Sequence, residues 1–199
     1  MKEQIRFSPE ANQVIVKIPK TNFKKGEVLS IPTGFEALLY SKEGTVEAVQ
    51  GVLEKKLETP VEVIYLVRGN RAIISAKWGT PNRILVRDQN GQPQKLGAYG
   101  SFEFKLANPA RYVNTRMAHN AEVDENTLKK DLLGLIPETI NHVFLSNPSV
   151  DLDNISQLKT KMSVEMKNIL ETLSDDFGFS IHKLLIEDIN FISSEGDVL

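Results

Sequence analysis

The chain has 199 residues, of which 41% are hydrophobic and 25% charged, and its formal net charge is −2. That length fits one domain or two small ones and buries ~70% of the surface its unfolded form exposes, so folding requires no disulfide or metal. A charge this near zero lacks the concentrated positive field of a nucleic-acid binder, and the absence of cysteine excludes a disulfide framework, thiolate catalysis and a cysteine zinc ribbon.

The N-terminus, Met1-Lys2-Glu3-Gln4-Ile5-Arg6-Phe7, lacks the apolar run of a signal peptide. No uncharged apolar stretch approaches the ~20 residues that cross a bilayer. The first half reads as strands. Val14-Ile15-Val16-Lys17-Ile18 ends at Pro19, which cannot donate to a ladder. Val28-Leu29-Ser30-Ile31 follows Gly26, and Pro32-Thr33-Gly34 is a turn. Phe35-Glu36-Ala37-Leu38-Leu39-Tyr40, the Glu43-Gly44 turn and residues 45–53 read as a hairpin. Val61-Glu62-Val63-Ile64-Tyr65-Leu66-Val67 alternates imperfectly, as a strand covered on both faces does. Arg68-Gly69-Asn70-Arg71 is a turn into Ala72-Ile73-Ile74-Ser75-Ala76, which leads to the single tryptophan in Lys77-Trp78-Gly79-Thr80. Ile84-Leu85-Val86 precedes Asn90-Gly91, a dipeptide that admits the positive φ angles of a tight turn. Beyond it Phe102, Phe104 and Leu106 share one face of a strand, and Gly97 and Gly100 allow a bulge or a close backbone approach.

After Asn108-Pro109 the spacing turns helical. Leu128, Leu132, Leu135, Ile136, Ile140, Val143 and Phe144 recur three or four apart, interrupted by Gly134 and Pro137, which predicts a kink or two abutting helices. Ile155, Leu158, Met162, Met166, Ile169, Leu170, Leu173 and Phe177 form a second stripe, with Asp151, Asp153 or Asn154 as N-cap and Gly178 as the stop. Residues 179–191 are a last strand, arriving after a long helix and therefore expected to re-enter a sheet with an earlier strand. The order predicts an α+β fold: a β-rich meander or partial barrel over 1–108, then two helices and a C-terminal strand over 109–199.

Four segments in this order resemble the SPFH (stomatin, prohibitin, flotillin), or band 7, domain over residues 28–192. Pro32-Thr33-Gly34 leading into the strand at Phe35 is similar to the family's opening segment. Residues 62–67 are similar to the strand before its Trp-Gly-Thr element. Lys77-Trp78-Gly79-Thr80 with Gly97-Ala98-Tyr99-Gly100-Ser101-Phe102-Glu103-Phe104 resembles the bacterial branch labelled virion-core-protein-like. Asp176-Phe177-Gly178-Phe179-Ser180-Ile181 is similar to the closing motif. The resemblance implies a non-enzymatic scaffold that multimerises, works at a membrane surface and recruits other proteins. For the bacterial branch it implies a part in envelope stress beside a phage-shock-A-type coiled-coil protein. That branch usually ends in a cysteine zinc ribbon, which a chain without cysteine lacks, so a minimal SPFH unit is expected. The expected location is cytoplasmic, with peripheral contact at the inner face of the cell membrane. The alternative is a soluble monomeric or dimeric adapter with no membrane role.

The residues themselves point to no catalytic or cofactor site. His119, His142 and His182 lack metal-ligand spacing, no Gly-x-Ser-x-Gly elbow exists, and no phosphate-cradling loop is present. Three residues are interaction candidates. Trp78 is read either as an interface anchor or, on the blander view, as a core residue with its indole N–H bonded to a carbonyl. Asp175 and Asp176 stand near a helix C-terminus, where negative charge opposes the macrodipole, which hints at a contact.

Overall fold

The computed structural model of the chain describes residues 4–69, 72–80, 82–117, 120–146, 149–151 and 153–193. In chain order the elements are β1 (Gln4–Ile5), β2 (Gln13–Lys17), β3 (Val28–Ser30), β4 (Phe35–Tyr40), β5 (Val46–Val49), β6 (Glu54–Lys56) and β7 (Val63–Arg68). Then come β8 (Ile74–Gly79), β9 (Ile84–Asp88), β10 (Pro93–Leu106), α1 (Pro109–Arg116), β11 (Glu122–Asp124) and α2 (Glu125–Leu133). The chain finishes with α3 (Ile136–Ser146), β12 (Ser149–Val150), α4 (Ile155–Asp175) and β13 (Phe179–Ser193). The fold is α+β, and among the described residues no sheet closes into a barrel.

Contacts divide the chain into two compact units, residues 1–72 with 107–128, and residues 73–106 with 129–199. The chain thus crosses between units three times, whereas the expected division had one boundary, at 108. Texture along the sequence sorts strands from helices, but each unit combines both.

In the first unit a five-stranded sheet, β11-β2-β7-β4-β5, accompanies a three-stranded one, β1-β3-β6. Side chains of both, among them Val16, Phe23, Leu29, Leu39, Ile64 and Leu66, form one buried cluster. The central strand β7 pairs with β2 on one side and β4 on the other, and Ile64, Tyr65, Leu66 and Val67 are all buried. That continuous burial explains its imperfect alternation. β4 and β5 form the expected hairpin, with Gly44 at φ +79° in its turn.

Two polar features of this unit make measurable contributions. Glu27, 5% exposed, accepts from the Lys24 backbone N–H at 3.0 Å and from Lys20 Nζ at 2.8 Å. Glu27→Ala strands a buried donor and a cation, so a loss of about 2 kcal/mol in urea unfolding is expected. Tyr40 and Tyr65 meet edge to face with centroids 5.5 Å apart, and the Tyr40 hydroxyl donates to the Ala110 carbonyl of α1 at 3.4 Å. Burial, with the neighbouring Tyr65 adding to it, pushes the Tyr40 phenol up to about 12, and burial raises Tyr65 too. An unfolded tyrosine ionises near pH ~10. Between there and about 12 the unfolded chain binds fewer protons than the folded one, so stability falls as pH rises through that window. Urea midpoints compared on either side of it should show a smaller fall in Tyr40→Phe than in the wild type.

The second unit is a sheet whose strand β13 packs against α4, which α3 contacts in turn. Its strand order is β12-β9-β10-β13, and β8 also pairs with β10. β8 and β9 lie end to end along one side of β10, covering Tyr99–Phe104 and Pro93–Leu96 respectively, while β13 runs the full length of the other side. The expected re-entry of the last strand is this β10–β13 pairing. One face of β10 carries the buried Leu96, Ala98, Phe102, Phe104 and Leu106, and β13 adds Phe179, Ile181, Leu184, Ile186 and Ile189. Met162, Met166, Leu170 and Ser174 of α4 are buried with them, spaced four apart.

Among the described residues four helices stand where two were expected. Gly134 and the bend at Leu135 separate α2 from α3, as the glycine and proline imply. α1 was not anticipated, although Asn108 Oδ1 accepting from the Arg111 N–H at 3.0 Å, followed by Pro109, is a readable helix start. Asn154 is the N-cap of α4, and Gly178 at φ +78° stops it. The stripe is narrower than expected: Ile155 is 38% exposed, and Leu158, Ile169, Leu173 and Phe177 are half-buried.

Candidate functional site

The longest strand of the second unit is also its edge. β13 spans Phe179–Ser193 and pairs with β10 alone among the described residues, so one side of its main chain has no partner strand. Unpaired ladder groups recognise another chain unless they are covered. The β10–β13 register slips twice, between Tyr99 and Gly100 and between Glu103 and Phe104. At the first slip Gly100 lies so close to β13 that a Cβ added to it would overlap the Leu185 carbonyl oxygen and sit 2.9 Å from the Leu185 carbonyl carbon. The expected close approach at Gly100 is this contact, and a glycine is what the bulge requires.

Helix α4 attends to the bulge from the other side. Ser163 Oγ accepts from the Ile186 N–H at 3.0 Å, and Lys159 Nζ donates to the Glu187 carbonyl at 3.1 Å. Those bonds cover one donor and one acceptor of the edge. Between α4 and β13 they leave a groove of about 500 Å3. Its apolar lining includes the buried Leu184 and Ile186, with Val164 57% exposed and Leu185 39% exposed. Its titratable side chains are Lys159, Lys167, His182 and Lys183. Sequence reading found no metal-ligand spacing at His182 and did not find the groove. Lys159 and Lys167 lie eight apart on α4, and Lys183 is sixteen positions beyond Lys167, so only the α4–β13 packing brings it to them.

The residues singled out from sequence lie elsewhere. Trp78, on β8, is 5% exposed and stands opposite Gly100 in the ladder. It is a core residue, as the blander reading has it, but its indole Nε1 has no hydrogen-bond partner. Asp175 closes α4 and Asp176 is its C-cap, both exposed, and neither borders the groove. His142 is exposed, its Nε2 3.7 Å from Glu138 Oε1 one turn away, and His119 lies outside the described residues. Among the described residues no group of three or more histidines and carboxylates could hold a metal ion. Among them, too, no helix is long and apolar enough to cross a membrane.

No curated protein matches the chain. A family model described as SPFH domain-Band 7 family matches residues 53–195, more than half of the sequence, and that stretch contains the Trp-Gly-Thr element, the β10–β13 pair and α4. Proteins of this family are in general membrane-associated, non-enzymatic scaffolds that act through protein–protein contacts and oligomerisation. The match over residues 53–195, with which the α+β architecture is consistent, places this chain in the SPFH domain-Band 7 family.

Proposed function

We propose that the protein is a non-enzymatic scaffold that self-associates and recruits partner proteins at the inner surface of a bacterial membrane. The observation that carries this reading is the edge of β13, which among the described residues has no partner strand along one side, beside a basic groove. A strand edge beside basic side chains suits the binding of polypeptide. Family membership supports self-association and membrane contact. The likeness of residues 77–104 to the virion-core-protein-like branch supports a role in envelope stress, with a phage-shock-A-type coiled-coil protein as the recruited partner. Asp175 and Asp176 are further contact points in this reading, exposed at the end of α4 where their charge opposes the helix dipole. Trp78 contributes from beneath, by holding β8 against β10.

Cell fractionation tests the membrane part. The full chain, expressed with a small tag, is expected in the membrane fraction and to be released by high salt or alkaline carbonate without detergent. A chain found wholly in the soluble fraction as a monomer or dimer would overturn the membrane role and leave a cytosolic adapter.

A further inference from the structure

We propose that the groove between α4 and β13 binds an extended acidic segment of another protein, laid alongside the open edge of β13. This rests on the recruiting half of the reading above and names the chemistry of what is recruited.

Charge selects the occupant first. Each titratable side chain lining the groove is a base, and no carboxylate lines it. Lys159 is engaged by the Glu187 carbonyl. Among the described residues Lys167 and Lys183 have no ion-pair partner, whereas Lys161, on another face of α4, has Glu165 Oε1 3.8 Å from its Nζ. A segment bearing Asp or Glu therefore supplies the charge the groove lacks. Val164 and Leu185 stand exposed beside these lysines, so the same segment gains by carrying aliphatic side chains.

The main chain selects it second. One wall is a strand edge, where α4 side chains bond the Ile186 N–H and the Glu187 carbonyl and, among the described residues, no strand pairs. An edge of that kind is recognised by another backbone through ladder hydrogen bonds, with alternate side chains giving specificity. A lipid headgroup matches the lysines but supplies no such ladder. The extended acidic peptide satisfies both walls.

Fluorescence anisotropy on the full chain tests this with two dye-labelled synthetic peptides, one alternating valine with glutamate and one alternating valine with lysine. The glutamate peptide is expected to bind at least about tenfold more tightly, on the order of the discrimination that like-charge repulsion gives. Reversing the charges in Lys167→Glu with Lys183→Glu is expected to abolish that preference while circular dichroism and melting temperature stay as in the wild type. Lys183 is exposed, Lys167 is half-buried and neither belongs to the buried core, so the variant retains that core. Backbone amide exchange at 182–186 should slow when the glutamate peptide is bound. Equal binding of the two peptides, or a preference that survives charge reversal, would overturn the proposal. So would phosphatidylglycerol vesicles that displace the peptide and lose their own binding on charge reversal, since the groove would then be a headgroup site. A rise in solution mass that charge reversal abolishes would assign it to a second copy of this chain instead. Because peptide binding is read apart from fractionation, the groove proposal can fail while the membrane reading stands, and the reverse.

Discussion

Gly100→Ala is expected to cost about 3–5 kcal/mol in chemical unfolding, or to prevent folding of the second unit altogether. The new methyl group would overlap the Leu185 carbonyl oxygen, with the Leu185 carbonyl carbon at 2.9 Å and the Ile186 Cα at 3.1 Å. All three atoms are backbone, held by the longest ladder in the protein, so relief requires breaking β10–β13 pairing at its bulge rather than turning a side chain. Gly97→Ala is the control. A Cβ there meets only Thr80 Oγ1 at 3.7 Å, an ordinary contact, and the expected change is within about 1 kcal/mol. Equal effects of the two substitutions would mean that the bulge does not bring the strands together as described.

Phe104→Ala carries the other large effect. The ring is fully buried, lies 5.7 Å from Phe102 and meets Phe179 edge to face at 5.5 Å, so it joins β10 to the start of β13. Truncation leaves a cavity under the sheet where two rings face it, for an expected loss of about 3–5 kcal/mol. Phe104→Leu keeps most of the volume and should cost less than half as much. Guanidinium unfolding followed by Trp78 fluorescence reads both, since the indole sits four residue pairs along the same ladder. A Phe104→Ala variant as stable as the wild type would remove this ring from the core.

Strands with enough apolar residues to declare a period were legible in the sequence. The buried run through β7, the β4–β5 and β9–β10 hairpins and the packed face of β10 follow from alternation and from Gly44 and Gly91, both at positive φ. Gly134 and Pro137 announced the break between α2 and α3. Short polar strands did not declare themselves. Glu54-Lys55-Lys56 and Glu122-Val123-Asp124 have no strand pattern of their own and are extended because β3 and β2 pair with them. The units were hidden for a related reason: β11 and α1 belong with β2 and β7, far away in sequence, through tertiary contacts.

The site was less legible than the fold. Trp78 drew notice as the single tryptophan, yet rarity is also what a large core residue under a sheet looks like, and it is buried. The groove left no local signature. Lys159, Lys167 and Lys183 read as ordinary solvated charges until α4 is laid against β13. The signal available was indirect: a fifteen-residue terminal strand, too long to be covered by one 21-residue helix along its whole edge.

Assembly is the central expectation, because scaffolds of this family act by holding several chains together. Light scattering on the purified full chain, with and without liposomes containing phosphatidylglycerol, measures it. A defined assembly of several chains, present alone or formed on the liposomes, is the expected result. A monomer at every concentration, unchanged by lipid, would contradict it.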